Sequence, residues 1–418
     1  MALHLALALR EGGVVQSGRL PDTDAYTRTL RVERLATTGD WHDSTLPQLN
    51  APDGLSLHWT RPLDVLILAP ALAATAAGVE LRTAIFWTGA ALPPVVHLLC
   101  AFAAAWAARA LWPGPIAWFA AGAILLNPVI GFAYGAFGQT DHHILVLLAA
   151  LLALGAALRA ILDPARHRPT CHRHAAGAGI ALGAGLWISP EMLLLAVPIL
   201  AAFAAAWVLR PGQPGADAAR QGRHAALAML ATAALALAIE RPPADWLIGD
   251  YDKLSAQHVL IAALAAAAFA LLAAVPARLA RPLRLALGLA TAAAAAALLL
   301  AAYPGALRAS EAAADADVAT LFLPHVAEMQ PLRLSAHGAH DLLLYAGGLS
   351  AALALPALLL AIAPPFAGLA FPADDTRQQE ARACDWPALA AWLATAPLPA
   401  EPPPIVVTDS WRATPELA

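Results

Sequence analysis

Gly138-Gln139-Thr140-Asp141-His142-His143 stands between two long apolar runs, roughly 113–133 and 143–162, and the rest of the chain is organised around it. The flanking runs have the length of membrane-spanning helices, so these six residues fall where the chain leaves the hydrocarbon. Ionisable groups at that depth are costly and are kept for a task, here gripping a divalent cation. Asp141 also suits a plainer role, capping the following helix at its positive end while His142 and His143 face headgroup water.

The whole chain supports the membrane setting. Of its 418 residues, 60% are apolar and only 13% charged, which excludes an ordinary soluble domain. Runs rich in Ala and Leu reach the ~20 residues a spanning helix needs, so helices rather than a barrel satisfy the backbone. We expect an all-α polytopic membrane protein with about nine spans, roughly at 83–108, 113–133, 143–162, 175–188, 191–209, 222–240, 257–275, 284–302 and 341–365.

Loop charges orient these spans. Arg109, then Arg159, Arg166, Arg168 and Arg173, then Arg210, Arg220 and Arg223, then Arg278, Arg281 and Arg284 follow alternate spans. The positive-inside rule puts that set in the cytoplasm and the 138–143 turn outside, with loops 10–61, 241–256 and 303–340. Acidic residues of the outer loops, among them Asp22, Asp24, Asp141 and Glu328, therefore share one face.

Residues 1–9 read as the remnant of an N-terminal membrane helix, and 10–82 as a first external loop with interfacial helices, closed by a short apolar segment at 64–79. The transmembrane core runs over 83–370 and includes the 303–340 loop; 371–418 reads as the start of a soluble region. We expect the chain to be truncated at both ends. Cys100, Cys171 and Cys384 have no paired spacing, so no disulfide framework follows, and Cys171-His-Arg-His174 lacks a second ligand cluster. A net charge of -4 gives no reason to expect a nucleic-acid partner.

A membrane enzyme that uses a divalent metal needs oxygen or imidazole donors from separate segments. Asp22-Thr23-Asp24-Ala25-Tyr26-Thr27-Arg28 resembles the first external loop of oligosaccharyltransferase catalytic subunits. Thr140-Asp141-His142-His143 resembles the second acidic motif of the archaeal members and their bacterial relatives, and His325-Val326-Ala327-Glu328-Met329-Gln330-Pro331 lies where the family carries a further glutamate motif. The resemblance covers about residues 10–340, at the level of the GT-C membrane glycosyltransferases, and implies a GT-C-like bundle with long external loops.

It also implies roles. Asp24 would ligate Mg²⁺ or Mn²⁺ and face the acceptor, with Asp22 as runner-up. Asp141 and His143 would be further ligands with His142 beside them, and Glu328 would complete the metal shell or hold the acceptor. Arg333 is the candidate to neutralise a lipid pyrophosphate. The implied activity is inverting, metal-dependent transfer of sugar or oligosaccharide from a polyprenyl (pyro)phosphate carrier to a protein or glycan acceptor, at the outer face of the inner (plasma) membrane.

Departures keep neighbouring functions open. His325 and Val326 replace the family's threonine and isoleucine, and its Trp-Trp-Asp-Tyr-Gly peptide-recognition element is absent from these residues. Transfer of a single sugar to a lipid or polysaccharide is therefore an alternative. The rival from another class is a transporter or flippase, but such proteins place their acids near the bilayer midplane rather than at helix ends. Glu191, after Trp187-Ile188-Ser189-Pro190, reads as a first-turn acid favoured by the helix dipole.

Overall fold

A computed structural model describes residues 2–308, apart from 11–12, 50–51, 113, 128, 163–167 and 211. Glu328, Arg333, the expected helix at 341–365 and the 371–418 region lie outside the described residues.

Helices α1 (Ala2–Leu9), α2 (Val14–Ser17) and α3 (Thr23–Thr38) lead to strands β1 (Thr45–Leu46) and β2 (Leu55–Ser56). The strands pair antiparallel, Thr45 opposite Ser56. Then come α4 (Arg61–Ala76), α5 (Leu81–Ala108), α6 (Trp118–Leu126), α7 (His143–Leu162) and α8 (Arg168–Ile188). The described part ends with α9 (Leu193–Leu209), α10 (Gly212–Glu240), α11 (Ala256–Ala274) and α12 (Arg281–Ala302).

Among the described residues six helices are long and apolar enough to cross a membrane: α5, α7, α9 with its leading turn, α10, α11 and α12. One expected span takes another form, and a second lies in a longer, more polar helix. Over 113–133 the chain is broken into a 3-10 turn at Pro115–Ala117, the nine-residue α6 and a π-helical stretch at Val129–Tyr134. Asn127 marks the break, its side chain accepting from the Ile130 N–H at 3.0 Å. The 175–188 run lies in the 21-residue α8, whose first half carries Arg168, His172, Arg173 and His174 and so lowers its apolar character. The chain is a multi-pass helical membrane protein, as its composition led us to expect.

In an apolar solvent, helices are held by close contact of small residues rather than by water exclusion. Gly179 of α8 meets the backbone of Ala225 on α10, and Gly183 meets Met229 and Thr232; a β-carbon at either glycine would collide. Leu182, Phe203 and Met229 are fully buried at the centre of this core.

The two ends of the bundle differ in chemistry. At one end arginines satisfy the terminal carbonyls of neighbouring helices: Arg159 donates to Trp106 O, Arg210 to Ile161 O at 2.7 Å, and Arg284 to Trp207 O and Arg210 O at 2.8 and 2.9 Å. Cations suit helix C-termini, so this end is both capped and basic. At the other end the start of α4 meets the ends of α8 and α10, and the start of α7 meets the turn between α8 and α9. Thr60 donates to Ile188 O at 3.2 Å, and the Glu240 carboxylate accepts the Arg61 N–H at 3.2 Å.

The 64–79 segment folds into α4 as far as Ala76, a helix about 24 Å long at 1.5 Å per residue and too short for a ~30 Å hydrocarbon core. It buries Leu63, Asp64, Ile67 and Ala71 and exposes Val65, Leu66 and Leu72.

Candidate metal centre

The 138–143 turn is fixed before its side chains are considered. Gly138 has φ 93°, and a β-carbon there would lie 2.8 Å from Val14 Cγ2, so only glycine fits. Its N–H donates to Ala90 O at 2.8 Å, pinning the turn to α5. Thr140 is buried beside Gly89. Gln139 donates from Nε2 to Asp22 Oδ2, and Asp22 Oδ1 accepts the Ala25 N–H at 2.8 Å as the N-cap of α3. The segment that opens α3 is thereby tied to the 138–143 turn.

Asp141 does not cap α7 in the usual way. Its Oδ1 accepts the adjacent His142 N–H at 2.6 Å, while the carbonyl that opens α7 is that of His142, which accepts from Leu145 and Val146. The carboxylate is instead the meeting point of two imidazoles. His143 Nδ1 hydrogen-bonds Oδ2, and His142 Nδ1 stands 2.7 Å from Oδ1, buried and off the hydrogen-bonding axis. The two rings stack with centroids 4.4 Å apart, and Tyr134, the last residue of the π-helical stretch, lies against His143 at 5.0 Å. On its far side His143 Nε2 is 3.5 Å from Glu191 Oε1.

Burial opposes ionisation of Asp141, but His143 and His142 beside it hold its carboxyl well below the usual carboxylate range. Burial also lowers His142, outweighing the attraction of Asp141, and the nearby charges of His143 and Arg28 act in the same direction. The outcome is an ionised Asp141 carboxylate next to a His142 imidazole that favours its neutral form.

This donor set fits a divalent cation. One ligand atom from each of Asp141, His142 and His143 lies within 4.8 Å of the others, and among the described residues no other group of three or more such side chains does so. The buried, off-axis Nδ1 of His142 is a nitrogen whose hydrogen bonding is incomplete, directed at the same carboxylate. Carboxylate plus imidazole suits Mn²⁺ and Zn²⁺ better than Mg²⁺.

Of the residues the sequence singled out, Asp141, His142 and His143 converge, and Asp22 reaches the same turn through Gln139. Asp24 lies half-buried in the first turn of α3, outside the group of three. Glu328 and Arg333 lie outside the described residues. Cys171 is buried, and His172 packs its ring on His224 at 4.5 Å.

Two features escaped the sequence. Glu191 does sit in the first turn of a 3-10 segment, where Ser189 Oγ accepts its N–H, but it also reaches His143. The second is a buried hub on Asp64. Arg28 donates to it at 3.0 Å, Arg31 at 2.7 Å and Arg61 at 3.1 Å, with every member at most 2% exposed. A lone acid inside an apolar segment, with Arg28 and Arg31 three residues apart on one helix, was the available signal.

No protein-family model and no curated protein sequence matches the chain. Solved structures do. The Archaeoglobus fulgidus oligosaccharyltransferase in complex with Zn and sulfate is similar at TM-score 0.57 and 17% identity, over 94% of this chain and 50% of that one. Archaeal oligosaccharyltransferase AglB of the same organism, in complex with an inhibitory peptide and a dolichol-phosphate, is similar at 0.55 and 16%, over 74% and 37%. A form tethered by a disulfide to an acceptor peptide with the NVT sequon is similar at 0.52 and 17%, over 65% and 32%. The chain has the fold of these oligosaccharyltransferases and spans about a third to a half of their length.

Proposed function

We propose that this chain is a membrane glycosyltransferase of oligosaccharyltransferase type. It transfers sugar or oligosaccharide, with inversion, from a polyprenyl (pyro)phosphate carrier to a protein or glycan acceptor at the outer face of the membrane. One observation carries this: a carboxylate and two imidazoles meet at the end of the bundle opposite the arginine-capped end, in a fold shared with oligosaccharyltransferases. Complexes of those relatives with Zn, with dolichol-phosphate and with acceptor peptide support a divalent cation, a lipid-linked carrier and a peptide acceptor.

Asp141, His143 and His142 would hold the cation, with Glu328 and Asp24 supplied from separate segments of the chain, as a full coordination shell requires. The imidazole content favours Mn²⁺ over Mg²⁺. When bound, such an ion acts as a Lewis acid toward the departing phosphate. Asp24 orients the acceptor and takes its proton. Asp22 spends its carboxylate on the α3 cap and on Gln139, so its part is to hold the turn. Arg333 is the proposed partner of the pyrophosphate.

Purified protein in lipid nanodiscs, given a labelled polyprenyl-diphosphate sugar and a peptide acceptor, should release the carrier in a reaction that EDTA stops. Asp141→Asn should lower the rate by more than the roughly 10–100-fold that follows loss of an outer-shell partner, with insertion unchanged. Full activity in that variant refutes the cation assignment. Movement of the labelled lipid across liposomes without bond cleavage refutes the enzyme.

A further inference from the structure

Glu191 belongs to a different segment from the acid-imidazole turn, yet its carboxylate comes to 3.5 Å from His143 Nε2. The two ring nitrogens of His143 face opposite ways. Nδ1 faces Asp141, as does Nδ1 of His142, so the donors that converge do so on one side. Nε2 faces Glu191 on the other. An imidazole that ligates a metal through one nitrogen characteristically gives its other N–H to a carboxylate, which fixes tautomer and ring orientation and strengthens the donor.

We propose that Glu191 is the positioning residue of the cation site, holding His143 from behind so that Nδ1 is presented beside Asp141. This rests on the cation reading above and adds a residue to it. The local backbone suits the role. Ser189 Oγ caps the Glu191 N–H, Pro190 opens the turn, and Met192 next along is fully buried, so the base of the side chain is anchored while the side chain as a whole stays 52% exposed. Tyr134 packs against the His143 ring and restricts its rotation. No other acidic side chain among the described residues is an ion-pair partner of Nε2 of His143.

The test is direct binding of Mn²⁺ alone to purified full-length chain in detergent, followed by electron paramagnetic resonance, with thermal unfolding measured on the same samples. Glu191→Ala should weaken Mn²⁺ binding about 10–100-fold, the range for an outer-shell partner. Glu191→Gln, whose amide oxygen still accepts from Nε2–H, should recover part of that loss. Because the Glu191 side chain is half exposed, neither change should move the unfolding temperature. Wild-type affinity in Glu191→Ala, in a preparation where Asp141→Asn abolishes binding, overturns the role of Glu191 and leaves the cation site standing. Complete loss in Glu191→Ala makes it a direct ligand and likewise overturns positioning. If the wild-type protein binds no Mn²⁺, the cation reading itself fails.

Discussion

Two aspartates at the same end of the bundle, Asp64 and Asp141, each sit among basic side chains, and the difference between those side chains separates scaffold from site. Asp64 is fully buried and takes three guanidiniums, which keep their charge at any accessible pH. Asp141 takes two imidazoles, which can surrender their protons, and its side chain and those of its partners remain 12–24% exposed. Permanently charged partners inside a sealed space make a joint. Titratable partners with access to solvent make a place where a proton can be exchanged for a cation.

The joint does more than neutralise charge. Arg61 also donates to Trp41 O at 2.8 Å and Asp43 O at 2.6 Å, so the loop after α3 is gathered onto the start of α4. Arg28 stacks on Trp59 at 4.2 Å, and its charge reaches Asp141 and His142. One hub therefore holds the helix that begins at Asp22 and Asp24 and lends positive potential to the neighbouring centre.

The largest expected effect breaks the joint. Asp64→Asn leaves three buried guanidiniums facing an amide and should cost about 3–5 kcal/mol, as removal of one partner from a buried ion cluster does. Chemical denaturation of the purified protein, or a collapse in membrane-extracted yield, would register it. Asp141→Asn should cost clearly less stability while removing Mn²⁺ binding, because its histidines can become neutral. If the two variants destabilise equally, the distinction between joint and site is wrong.

How much of this was legible in the sequence follows from the range of each interaction. Helices announce themselves through length and apolarity, and the basic loops marked the ends of α5, α7 and α9, where Arg159, Arg210 and Arg284 now bind terminal carbonyls. The acid-imidazole turn was legible because its members are consecutive in the chain. Glu191 was not, because the feature that explains its backbone, a helix start, is local, whereas its contact with His143 crosses 48 positions. The hub was hidden for the same reason, with Arg28 and Asp64 36 positions apart. The 113–133 run misled because hydropathy counts residues and does not register the Asn127 break, whereas the 175–188 run is helical throughout, within α8.

A smaller effect appears with pH. Burial alone would raise the Asp64 carboxyl, but Arg31, Arg28 and Arg61 outweigh it and hold the group below the ordinary carboxylate range. A folded-state value below the unfolded value of about 3.9 contributes stability that is complete above that pH and is lost as pH falls through the folded value. Wild-type unfolding temperature should therefore show no loss from this group between pH 8 and about 5, and a fall only below about pH 4. A sharp loss between pH 7 and 6 would instead assign the dominant linkage to the histidines and invert the comparison.

The smallest effect is expected where a charge pair has neither burial nor exchangeable partners. Arg82 Nε lies 2.5 Å from Glu33 Oε1, linking α3 to the start of α5 just as the hub links α3 to α4, but the Arg82 side chain is 74% exposed. Water and salt screen such a pair, and ordering its long side chains offsets most of the attraction. Arg82→Gln should leave unfolding temperature and Mn²⁺ affinity unchanged within error at physiological ionic strength. Loss of Mn²⁺ binding in this variant would mean that α3 is held in place by its surface rather than by Asp64, since a single exposed contact would then be setting the geometry of the turn.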